Sequence, residues 1–147
     1  MAHTKNILLT VVCFFLLFTS CKKSGDLVNN PLLEQYFETN ILNRDFTVSL
    51  ATDNNTDLTP NYIGYIFVLL KTDFYHGPLK ATIGNTVYMG TWSSNEDYSK
   101  LDISLSAPPA EFTFLSRAWK FTSKSFPTMK LSPWGSTEAL VLHMYRQ

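Results

Sequence analysis

The spacing of apolar and polar residues changes twice along this chain. From Ile7 to Phe18 nearly every position is apolar. The run has the length of a signal-peptide core and falls short of the roughly 20 apolar residues that cross a bilayer. A polar stretch from Lys22 to Asn30 follows and reads as a tether. Helical spacing then sets in at Leu33, Tyr36, Phe37 and Ile41, with Asn30 as a cap and Pro31 at the first helical position. This predicts one short helix covering an end or flank of a sheet.

From Phe46 onward the spacing becomes two. Phe46, Val48 and Leu50 alternate with Thr47, Ser49 and Ala51. Asp53-Asn54-Asn55 supplies a turn, and a loop runs to Asn61. Tyr65 to Leu70 is apolar throughout, so both faces of that strand are expected to be covered, the outer one by the helix. Further strands are expected through Leu79, Ala81 and Ile83, through Val87–Trp92, and through Leu101, Ile103 and Leu105. Phe112, Phe114 and Leu115 read as a strand or a plug. Trp119 and Phe121, Met129 and Leu131, and finally Leu140, Leu142 and Met144 mark the rest. About eight short strands with regular turn signals predict an all-β fold: a single antiparallel meander closed as a barrel, or alternatively a β-sandwich.

Composition narrows the setting. Twelve basic and twelve acidic side chains balance, so no nucleic-acid footprint is visible. Only two cysteines are present. Cys13 lies in the apolar leader. Cys21 follows the small residues Thr19-Ser20 and ends it. Ordinary signal cleavage before Cys21 would place bulky Phe18 where a small residue is needed. A lipoprotein signal accepts a large apolar residue there and requires the cysteine. The expected layout is a signal peptide over 1–20, a lipidated tether over 21–30 and a β domain over 31–147.

Candidate chemistry is sparse. His76 and His143 have no second ligand at metal-binding spacing. Asp53–Asp57 has oxygens at alternate positions, but Leu58 stands where a calcium loop needs glycine. Glu96 and Asp97 are adjacent, and neighbours on a strand point to opposite faces. Distant carboxylates such as Asp102 and Glu111 are not selected by any motif. No catalytic residue, metal or cofactor is assigned, and a non-enzymatic protein is expected. Trp134, between Pro133 and Gly135, is expected to be exposed and to touch a partner.

Four pieces carry a resemblance: Leu17-Phe18-Thr19-Ser20-Cys21, the aromatic segment Tyr62–Phe67, Gly90-Thr91-Trp92 followed by Leu101-Asp102-Ile103, and Trp119-Lys120-Phe121 with Leu142–Arg146. Together the chain resembles the lipocalin-like lipoproteins of Bacteroidota. The resemblance implies lipidation at Cys21. Lys22 does not resemble an inner-membrane retention signal and the tether lacks the acidic cluster of a surface-export signal, so the expected location is the outer membrane, facing the periplasm. Each methylene of an acyl chain adds about 0.8 kcal/mol, so two or three chains hold firmly. The resemblance also implies a barrel closed by its last strand. Arg146 continues the face of Leu140, Leu142 and Met144. Lipocalins place an arginine over the tryptophan of Gly-x-Trp, so Arg146 is expected over Trp92, with Trp119 second. Two functions remain open: a binding domain for a small apolar or amphipathic ligand, and a filled barrel that contacts an envelope protein.

Overall fold

The computed structural model describes residues 31–106 and 109–147. The leader, Cys21, the tether and the Asn30 cap lie outside the described residues. The chain begins with helix α1 (Pro31–Asn40) and continues through β1 (Asp45–Asp53), β2 (Thr56–Asp57) and a 3₁₀ helix (Thr59–Tyr62). Next come β3 (Tyr65–Leu69), β4 (His76–Ile83), β5 (Thr86–Ser94) and β6 (Lys100–Leu105). A plug helix (Phe112–Leu115) precedes β7 (Ala118–Ser123), β8 (Thr128–Pro133) and β9 (Leu140–Arg146).

Apart from β2, the strands pair antiparallel with their neighbours along the chain, β3 following β1, and β9 returns to β1. Eight strands therefore close into a lipocalin-like barrel. The two-residue β2 is an addition to the edge of β1. Closure through β9 pairs the edges that an open sheet of these strands would expose, apart from β2 and the short β1–β3 junction. The β1–β9 seam runs from Phe46↔Arg146 to Asp53↔Leu140, whereas β1 meets β3 only at Asp45 and Phe46. The 3₁₀ helix lies against β1 there, with Ala51 N–H donating to Thr59 Oγ1 (2.9 Å) and the N–H of the preceding Leu58 donating to the Ala51 carbonyl (2.8 Å).

Alternation holds where the ladders are regular. Leu79 and Ala81, the triplet Leu101, Ile103 and Leu105, and the triplet Leu140, Leu142 and Met144 all point inward and are buried. On β1 it fails. The register with β9 shifts between Val48 and Leu50, and this bulge turns Ala51 into the core while Leu50 is only half-buried. A single extra residue in one strand reverses the faces beyond it. The expectation for β3 is also corrected. Val68 is buried, but Ile66 on the same outer face is 38 % exposed. Helix α1 does not lie over that face. It enters one end of the barrel, where Phe37 packs against Trp92, Tyr98 and Phe121.

Gly77 shapes that end. A Cβ there would stand 2.1 Å from the Leu70 carbonyl oxygen and 3.0 Å from Trp92 Nε1. Its absence lets Trp92 Nε1 donate to that same carbonyl (2.8 Å). Trp92 is thereby buried at 1 % exposure with its one donor satisfied.

Candidate functional site

Both barrel ends are stoppered by aromatic side chains. At the first, Phe37 stacks on Tyr98 with ring centroids 4.4 Å apart, and Tyr75 stacks on Tyr98 at 5.5 Å. At the second, the plug helix drives Phe112 between Tyr65 (5.5 Å), Tyr88 (5.2 Å) and Phe67 (6.4 Å). Phe114 lies 5.5 Å from Trp119. The space between the two ends holds Leu79, Ala81, Leu101, Met129, Leu131, Leu142 and Met144, all of them buried. The interior a lipocalin-type ligand would take is thus occupied by the chain's own side chains.

The polar rims of the two ends differ. Around α1, Tyr75 Oη donates to Glu34 Oε1 (2.6 Å), Lys71 pairs with Glu38, and Tyr36 Oη donates to the Lys124 carbonyl (2.6 Å). The hydrogen bond to Glu34 raises the Tyr75 hydroxyl to about 12, with desolvation adding to it. Arg146 belongs to this rim, and here the expected stack is corrected. Its guanidinium lies over Phe126 at 4.7 Å, and Nη1 donates to Asn40 Oδ1 (3.3 Å). Trp92 is covered by Phe37 from inside, so no face of it is open to a cation from β9.

Trp119 does sit beneath an arginine, but it is Arg117, 5.6 Å away at the opposite end. Arg117 Nε donates to the Phe114 carbonyl (2.8 Å), and the guanidinium lies 5.4 Å from the Phe114 ring. Arg117 was not singled out in the sequence. Its signal was the Arg117-Ala118-Trp119 spacing, two residues apart at the start of a strand.

Arg117 forms one side of a cleft of about 500 Å³ between the 3₁₀ helix and the plug helix. Asp53, Leu58, Asn61, Tyr62, Glu111, Thr113 and Phe114 complete it. The Tyr62 hydroxyl donates to the Glu111 carbonyl (2.7 Å), and the Tyr65 hydroxyl donates to Glu111 Oε1 (2.9 Å). Burial, then the hydrogen bond to Glu111, pushes the Tyr65 hydroxyl up to about 12, and burial raises Tyr62 as well. Both phenols remain donors at neutral pH, which fixes Glu111 at the cleft wall.

The other singled-out residues do not converge. Trp134 is 40 % exposed in the turn after β8, with Lys100 Nζ 5.9 Å from its ring centroid. Asp102 is on the outer wall with Lys100 (2.9 Å) and Ser93. His76 pairs with Asp73, and His143 is held below its ordinary pKa by partial burial and by nearby Lys130. Among the described residues no group of three His, Cys, Asp or Glu side chains is close enough to hold a metal, and no helix is long and apolar enough to cross a membrane. Comparison with protein-family models, curated proteins and solved structures finds no match to this chain.

Proposed function

We propose that this is a non-enzymatic lipoprotein of the outer membrane, facing the periplasm and held by acyl chains on Cys21. Its lipocalin-like barrel is a filled scaffold that presents a recognition surface at the plug-helix rim to an envelope partner. The occupied interior carries this reading. An apolar guest inside would have to displace Phe37 or Phe112 from contacts that bury them almost completely. Removing a Phe from such a site costs about 3–5 kcal/mol. A weakly bound ligand does not supply that. Trp134 lies on the same rim as the Arg117 cleft, since its N–H donates to the Ala118 carbonyl (3.0 Å). Exposed tryptophans are favoured at protein contacts.

Native mass spectrometry of the mature lipoprotein released from detergent tests the scaffold reading. The expected spectrum contains the acylated chain alone. A stoichiometric apolar molecule that survives release identifies a carrier instead. Cys21→Ala is expected to abolish metabolic labelling with a fatty acid, and undiminished labelling rejects the anchor.

A further inference from the structure

We infer that the cleft between the 3₁₀ helix and the plug helix binds a small zwitterion, an amino acid or short peptide bearing both an ammonium and a carboxylate. The inference rests on the rim being the recognition surface. A volume of about 500 Å³ falls within the roughly 300–1,000 Å³ of small-molecule sites. Its lining carries both signs of charge, and these charges are fixed.

On the acidic side stand Asp53 and Glu111, neither within ion-pair distance of a cation among the described residues. Glu111 uses one oxygen on the Tyr65 hydroxyl, and Asp53 uses one on the Asn54 amide (2.8 Å). The second oxygen of each is left to a ligand. On the basic side, Arg117 is held by the Phe114 carbonyl and by two rings, with Glu138 only at 3.8 Å. Asn61 and Thr113 add exposed hydrogen-bonding groups at the mouth.

Other ligand classes fit less well. A simple anion meets two carboxylates for one guanidinium. A metal ion lacks a third acidic or histidine ligand among the described residues. A neutral sugar wants an open aromatic face, but Phe114 and Tyr62 are buried and Arg117 covers Phe114. An ammonium between Asp53 and Glu111 with a carboxylate on Arg117 gives each charged group an opposite partner, and hydrogen bonds to charged groups are the stronger kind.

The test is calorimetric titration of the full-length lipoprotein in detergent with glycyl-leucine, its N-acetyl form and its C-terminal amide. Saturable binding is expected for the free dipeptide, with each blocked form at least about tenfold weaker. Glu111→Gln keeps an acceptor for Tyr65 and so keeps the fold, yet is expected to weaken the dipeptide about tenfold. Arg117→Gln is expected to do the same, and Asp53→Asn serves if Arg117→Gln fails to fold. Glu34→Gln at the opposite rim is expected to change nothing. Absence of saturable dipeptide binding, or equal binding of the blocked forms, overturns the inference. The scaffold reading is judged separately by the mass of the released chain.

Discussion

The two barrel ends are closed by the same apolar chemistry and finished differently in polar chemistry. At the α1 end a helix from outside the meander inserts Phe37, and polar contacts tie it to the barrel: Glu34 with Tyr75, Glu38 with Lys71, and Asn40 with Arg146 of β9. At the plug end a four-residue helix within the meander inserts Phe112, and among the described residues Asp53 and Glu111 have no ion-pair partner. Glu34 and Glu111 each accept from one tyrosine hydroxyl, but Glu34 lies on the helix it holds, whereas Glu111 shares a cleft with Asp53 and Arg117. On the proposed reading, this difference puts recognition at the plug end and gives α1 a structural role.

The largest effects should come from truncating the two stoppers. Phe37→Ala and Phe112→Ala are each expected to cost about 3–5 kcal/mol, measured by urea unfolding. Both rings are almost fully buried. The comparison predicts a further divergence. Phe37→Ala opens an apolar hole beside Trp92 and Tyr98 and should create binding of an apolar fluorescent probe, without altering dipeptide binding. Phe112→Ala loosens the cleft wall and should weaken dipeptide binding. Equal effects of both variants on both ligands would remove the distinction between the ends.

Much of this arrangement was legible in the residues, for reasons that can be named. Regular ladders keep period two, so Leu101, Ile103 and Leu105 declared their face, as did Leu140, Leu142 and Met144. The helical spacing of Leu33, Tyr36 and Phe37 was equally plain, and its place at a barrel end was one of two positions expected. What escaped depended on backbone geometry or on long-range meeting. The bulge beside Ser49 has no side-chain signature, yet it puts Ala51 inside. The cleft joins Asp53, Asn61, Glu111 and Arg117, which lie in three separate segments and share no spacing. The partner of Arg146 escaped because strand parity gives a face but not which ring the adjoining turn delivers. Phe126, in the turn before β8, reaches it first.

Alkaline titration sharpens the comparison at an intermediate scale. Tyr65 at the plug end and Tyr75 at the α1 end both have hydroxyls raised to about 12. In the unfolded chain a tyrosine ionises near pH ~10. The folded value is the higher one, so each contributes stability that is fully present below about pH 10 and is lost as pH rises through about 12. Tyr65→Phe and Tyr75→Phe are each expected to flatten the fall of stability over that window, read from urea midpoints at successive pH values. Tyr65→Phe also releases Glu111 and should weaken dipeptide binding at pH 7, whereas Tyr75→Phe should not. A wild-type stability that is level from pH 9 to pH 12 would contradict both assignments.

The smallest expected effect concerns the arginine at the closing seam. Arg146 follows Met144 on the inward face of β9, and a charge on that face must leave the core or find a partner. It does both, turning out at the α1 rim with its guanidinium over Phe126 and one N–H on Asn40. The site is partly solvated, so the stack should contribute only about 0.5–1 kcal/mol. Arg146→Ala alone would blur that value with lost aliphatic packing. A double-mutant cycle removes the blur. Arg146→Ala combined with Phe126→Leu should show a coupling of about 0.5–1 kcal/mol, while Arg146→Ala combined with Trp92→Phe should add independently, within the roughly 0.3–0.5 kcal/mol typical of separated sites. Coupling to Trp92 instead of Phe126 would mean that the seam is shut from inside by a lipocalin-type arginine stack. The α1 rim would then owe its closure to that stack rather than to the turn that carries Phe126.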